Sequence, residues 1–208
     1  MNCLRNEYPT KQFPNLQSHE HAGSLNTGQF RILLATVPSE PLRTMLIVAV
    51  CLGLRMRELT CLRWEDFAAG YSDVIVYKPK TAKYAIRPLC QELRQLVRRL
   101  RSISAESEWV FPSLLSHGKA PYRTEELRHR VRSIGKKVLI QNPITWHMLC
   151  TLHETLKANA LNSEGLAMLR SSRDQGAQRR VTTEVQRQIL LAVLPAGLDS
   201  YTSNAAQH

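Results

Sequence analysis

The chain has 208 residues, 28 Lys and Arg against 17 Asp and Glu, a formal net charge of +11, and an ordinary globular content of 43% hydrophobic residues. That is enough for one core plus tails. The basic balance favours a polyanionic partner, nucleic acid before an anionic membrane surface, and no signal peptide, lipidation motif or transmembrane run supports the membrane.

Five cysteines stand at positions 3, 51, 61, 90 and 150, with no C-x-x-C spacing and no histidines placed to complete a zinc site. They read as structural thiols of a reducing, cytoplasmic protein, with Cys51 and Cys61 in apolar segments and expected to be buried.

In chain order, residues 1–24 are polar, carry Pro9 and Pro14, and read as a tail or linker. From Leu25 the pattern sharpens. Asn26 or Thr27 can cap a helix with Phe30, Leu33, Leu34 and Val37 on one face. Pro38 and Pro41 punctuate. The unbroken apolar run Met45–Leu52 is too short to span a bilayer and reads as a buried helix. Gly53 breaks it, Arg55 follows, and Leu59, Leu62 and Trp64 resume at helical spacing, so a strong cation sits at a helix–turn–helix junction.

SDVIVY, the polar turn KPKTAK and YAIRPL then predict a small antiparallel hairpin or three-stranded sheet, with Lys78, Lys80 and Lys83 crowding its tip. Leu89–Leu100 is amphipathic, with Leu89, Leu93, Leu96, Val97 and Leu100 inward and Arg94, Arg98, Arg99 and Arg101 outward. Trp109–Pro112 reads as a short buried segment. A basic helix follows in RTEELRHRVRSIGKKVLI, with Leu127, Val131 and Ile134 inward. A last helix, Thr182–Leu194, places Val185, Ile189, Leu190 and Val193 on one face.

GLRMREL followed by LRW and an acidic pair resembles the first signature box of the tyrosine recombinases, the phage integrase family. LNTGQFRILLATVP and Trp109-Val-Phe-Pro resemble the same family at the matching places. The resemblance implies a mainly helical α+β catalytic domain over residues 25–195 with a small antiparallel sheet, and a tail over 196–208. Residues 1–24 would be the connector to an amino-terminal DNA-clamping domain that these residues do not include. It implies double-stranded DNA as partner, no metal and no cofactor.

By the same resemblance Arg55 binds the scissile phosphate. Lys80, with Lys83 as the alternative, is the hairpin lysine that acts as general acid. Lys78, Lys83, Arg123, Arg128, Arg132 and Lys136 contact phosphates, unless these charges are merely solvated. The last helix would pack on a neighbouring protomer to form a homo-oligomer, packing on its own core being the alternative.

Transesterification of a phosphodiester needs an in-line nucleophile, cations on the nonbridging oxygens and a general acid for the leaving oxygen. The family's second box, H-x-L-R-H, is met here by His147-Met-Leu-Cys150-Thr151. His147 fits. Cys150 stands where the second arginine belongs and cannot offer a permanently charged fork. Ser171 follows Arg170 where the family has a histidine. The nucleophilic tyrosine falls on Gln186 in one alignment and Ala177 in another, and no tyrosine lies between Tyr122 and Tyr201. The expectation is therefore a DNA-binding, catalytically impaired recombinase-like domain with a degenerate carboxy-terminal third. The alternatives are an active recombinase that uses Tyr201 or a nucleophile in trans, and a basic scaffold without catalysis.

Overall fold

The computed structural model describes residues 24–104, 106–137, 143–162 and 174–194. Helix α1 (Thr27–Thr36) starts where a capping box forms. Asn26 Oδ1 accepts from the Gln29 N–H at 2.9 Å, and Gln29 Oε1 accepts from the Asn26 N–H at 3.0 Å. Its Phe30, Leu33 and Leu34 are buried.

Helix α2 (Glu40–Leu52) has Pro41 in its first turn, where the missing N–H costs nothing. Ten of its 13 residues are buried, including every residue of the apolar run. This all-round burial follows from its neighbours, since α4, α6 and α7 all pack against it. The short α3 (Met56–Thr60) follows the turn at Gly53.

Strands β1 (Asp73–Lys78) and β2 (Lys83–Pro88) pair antiparallel with Val76 opposite Ala85 and Tyr77 opposite Tyr84. Among the described residues the sheet has these two strands, joined on one side by an isolated bridge between Phe67 and Val74. Helix α4 (Gln91–Ile103) begins two residues after Leu89, which is buried all the same. Helices α5 (Thr124–Lys137) and α6 (Trp146–Leu161) follow.

Helix α7 spans Gln175–Val193 and starts almost two turns before the expected Thr182. The cause is Asp174, whose carboxylate accepts from the N–H groups of Gly176 at 3.2 Å and Ala177 at 2.7 Å. The polar residues between, which carry no apolar period, are good helix formers once capped. Val185, Ile189, Leu190 and Val193 are buried against the chain's own core, where α7 meets α1, α2, α4 and α6.

Burial pushes the Cys51 thiol well up and the Cys90 thiol up to about 12, so both stay protonated and inert. Cys61, expected to be buried, is only half-buried at the end of α3. Among the described residues no helix is long and apolar enough to cross a membrane, and no three His, Cys, Asp or Glu gather as a metal site.

Candidate nucleic-acid interface

Arg55 is presented by a turn held from three sides. Gly53 ends α2 in the left-handed region at φ +63°, where a side chain is strained. The Arg55 N–H donates to Glu58 Oε2 at 2.9 Å, so the buried Glu58 carboxylate caps α3. The Leu54 carbonyl accepts from the indole N–H of Trp146 at 3.0 Å, which ties the first turn of α6 to the same backbone.

The Arg55 side chain itself is exposed and, among the described residues, has no hydrogen bond or ion pair. Other arginines are engaged. Arg43 meets Glu40 at 2.8 Å, and Arg63 meets Glu65 at 3.2 Å and lies over the Trp109 ring at 4.5 Å. A fixed backbone carrying an uncommitted guanidinium is an arrangement that can take an external anion.

Helix α6, whose first turn is tied to Leu54, carries two more of the expected positions. Thr145 caps it by accepting from the Met148 N–H at 3.3 Å, and His147 in the first turn is exposed. Cys150 is half-buried, with Sγ 4.0 Å from the Leu54 carbonyl oxygen. Burial and the Glu58 carboxylate push its thiol up while the Arg55 charge pulls it down, and the net shift is upward. So Cys150 stands within electrostatic reach of Arg55 as a neutral group and adds no cation.

His153 lies one turn further on, buried against Gly53. Its Nδ1 is 2.6 Å from the Val50 carbonyl oxygen, so Nδ1 carries the proton and donates. Burial pushes its pKa down most strongly, against the opposing pull of the Val50 bond and of Glu154, with Lys157 and Arg87 adding to the fall. The folded state thus prefers the neutral ring. Its contribution is complete above the unfolded value of about 6.5 and is lost as pH falls through the lower folded value. Denaturant titrations from pH 8 to pH 5 are expected to show the native chain losing stability relative to His153→Phe below about pH 6.5. Parallel curves would remove the role assigned to this ring.

The remaining expected residues lie on other elements. Lys80 sits exposed in the β1–β2 turn, with no hydrogen bond or ion pair to Arg55 or His147 among the described residues. Lys78 and Lys83 face each other across the strand ends. Arg123, Arg128, Arg132 and Lys136 are exposed on and beside α5, Arg128 being paired with Glu125 at 3.3 Å. The outward arginines of α4 partly serve the fold: Arg94 donates to the Leu89 carbonyl at 2.9 Å, Arg98 to that of Gly70 at 3.1 Å, and Arg101 lies 4.9 Å over the Trp64 ring.

Gln186 is buried. Its Oε1 accepts from the Cys90 N–H at 3.0 Å and its Nε2 donates to the Pro88 carbonyl at 2.7 Å, pinning α7 to the β2–α4 link. Ala177 is buried as well. Ser171 and Tyr201 lie outside the described residues. A cleft of about 440 Å³ between β2 and the start of α7 is lined by Asp73, Ile86, Pro88 and Arg179 among others, and contains none of Arg55, Lys80 or His147.

Sequence reasoning passed over Glu58 and Trp146. Glu58 had a signal, a carboxylate three residues into a helix start, which is the spacing of a cap. The indole bond of Trp146 had none, because its partner is 92 residues away.

The fold and the motifs agree with known proteins. The chain is similar to the XerA recombinase (TM-score 0.56, 17% identity, 94% of this chain and 68% of that one). It is similar to the catalytic core of the lambda integrase (TM-score 0.57, 18% identity, 68% of this chain and 90% of that one). It is also similar to a longer lambda integrase bound to DNA (TM-score 0.60, 16% identity, 82% of this chain and 63% of that one). At such identities these likenesses show the fold. No curated protein matches the chain significantly. The sequence profile of the phage integrase family matches residues 25–167, more than half of the chain, and the chain belongs to that family.

Proposed function

We propose that this chain is a recombinase-like protein that grips double-stranded DNA by its phosphates and does not cut it. The observation that carries the reading is the Arg55 guanidinium, exposed and uncommitted on a turn that Glu58 and Trp146 hold rigid. His147 adds a donor from the adjacent turn of α6, and Lys80 with Lys78 and Lys83 extends the positive surface along the hairpin. Exposed Arg123, Arg128, Arg132 and Lys136 supply further phosphate contacts. The similarity to an integrase bound to DNA supports the same partner.

Cleavage fails for want of two groups. Cys150 is a neutral thiol beside Arg55, so only one guanidinium would hold the nonbridging oxygens. Neither position to which the tyrosine aligns presents a side chain to solvent. Self-association, where it occurs, uses the outer side of α7, on which Leu191 is exposed.

The test is duplex binding between 50 and 200 mM salt. The native chain is expected to lose affinity steeply with salt. Arg55→Ala is expected to weaken binding by about ten- to a hundredfold, the scale of a charged hydrogen bond at roughly 1.5–3 kcal/mol, and to lower the salt slope by about 1. A nicked suicide duplex is expected to trap no covalent adduct. Salt-independent or absent binding would leave only the scaffold reading, and an adduct would restore an active recombinase.

A further inference from the structure

Arg87 is a cation that the fold leaves unanswered. In the hairpin register it stands opposite Val74, and cross-strand partners share a face. Val74 is buried, so the Arg87 stem is turned to the core side of the sheet, while Ile86 beside it points out at 70% exposure. Its Nε is buried and has no hydrogen-bond partner. Its two terminal nitrogens, unbonded as well among the described residues, stay open to solvent. The other buried side-chain nitrogens in this condition, those of Trp64 and Trp109, belong to neutral rings.

No carboxylate among the described residues answers this charge. The one acid of the two strands, Asp73, lies on the opposite face and is bound by Arg179 at 2.6 and 3.0 Å. Taking a guanidinium partly out of water without a counter-charge is unfavourable. The same face of the hairpin carries the Lys78–Lys83 pair at its other end, so its core-facing side is basic at both ends.

The surroundings place this cation beside the Arg55 turn. Burial lowers the His153 pKa most, and the Arg87 charge is among those that lower it further, so the guanidinium is within electrostatic reach of that ring. The other charges acting on the ring are Glu154 and Lys157, both on α6. His153 packs on Gly53, two residues before Arg55. The Arg55 charge in turn acts on Cys150, one turn earlier on α6. Each guanidinium is thus felt by a different residue of α6, which sets the two apart along the helix and suits them to separate phosphates.

We propose that Arg87 is a second phosphate-binding arginine, which takes a backbone phosphate of the duplex next to the one held by Arg55. The inference rests on the duplex reading and adds to it a residue on another element. The bound phosphate supplies the counter-charge that the folded chain lacks, and Arg55 remains the one guanidinium on its own phosphate.

The experiment measures affinity of the full chain for a labelled duplex as salt is raised, together with melting of the free chain. Arg87→Met keeps the apolar stem and removes the charge. It is expected to weaken duplex binding by about tenfold or more and to lower the salt slope by about 1. Arg87→Lys is expected to keep the slope. The same losses are expected when Arg87→Met is made in an Arg55→Ala chain, because the two contacts are separate. A residue that only props the Arg55 turn would have no effect there. Without duplex, Arg87→Met is expected to melt no more than about 2 °C below the native chain, since the charge it removes has no partner in the fold.

Unchanged affinity or slope in Arg87→Met overturns the inference and leaves the duplex reading standing. So do loss of the slope in Arg87→Lys, disappearance of the effect in the Arg55→Ala chain, and a larger fall in melting temperature. Absence of salt-dependent duplex binding by the native chain overturns the duplex reading, and this inference with it.

Discussion

Replacing Gly53 with alanine is expected to destabilise the chain by about 2–5 kcal/mol, the sum of roughly 1–2 for a left-handed non-glycine residue and 1–3 for overpacking. Two independent features meet at this residue. Its φ is +63°, and a Cβ there would fall 2.5 Å from Cδ2 and 2.6 Å from Nε2 of the His153 ring. The ring cannot retreat freely, because its Nδ1–H is bonded to the Val50 carbonyl. At about 2–4 °C per kcal/mol for a chain of this size, the melting temperature is expected to fall by roughly 5–20 °C.

Combining Gly53→Ala with His153→Ala removes the steric part and leaves the backbone part. A double-mutant cycle is therefore expected to show about 1–3 kcal/mol of coupling. Melting within about 2 °C of native for the single variant would show that the two side chains do not constrain each other. Since the same turn carries Arg55, the variant is also expected to weaken duplex binding beyond what its folded fraction accounts for.

The second large effect concerns Gln186. Gln186→Leu leaves the Cys90 N–H and the Pro88 carbonyl without partners in a buried place, and is expected to cost about 2–4 kcal/mol in urea unfolding. The same geometry bears on repair. A chain carrying Cys150→Arg and Gln186→Tyr regains the two missing residue types by alignment, yet it is expected to form no covalent adduct with a nicked duplex. The phenol would enter a buried slot lined by backbone polar groups and would displace the pin that holds α7. The exposed residues of α7, Gln178 and Arg180 among them, are where a nucleophile could meet solvent. An adduct from the double variant would show that α7 turns or shifts and would overturn the fixed placement argued here.

Most elements were legible because their signals are local. Eight consecutive apolar residues from Met45 to Leu52 stated a helix buried on every side, and all eight are buried. Alternation in DVIVYK stated the hairpin, and the spacing from Gly53 through Leu59 stated both the turn and the family. The start of α7 was not legible, because the stretch from Gln175 to Arg180 has a single buried apolar residue, Ala177, to mark a face. Its helix is set by the Asp174 cap and by packing further along. Gln186 had a faint sign in retrospect, as a polar residue inside the stripe of Val181, Val185, Ile189 and Val193.

The order of residues by itself determined most of the helices, the hairpin and the surplus of positive charge, since each depends on composition or on neighbours a few positions away. Only the tertiary structure decided which charges are free. Arg55 is uncommitted while Arg63, Arg101 and Arg179 are held, Cys150 rests beside Arg55 as a neutral thiol, and Gln186 is pinned away from solvent. The reason is that a side chain's partner is fixed by what packs against it in space, and for several of these residues that partner lies roughly a hundred positions away in the chain, beyond the reach of any local pattern.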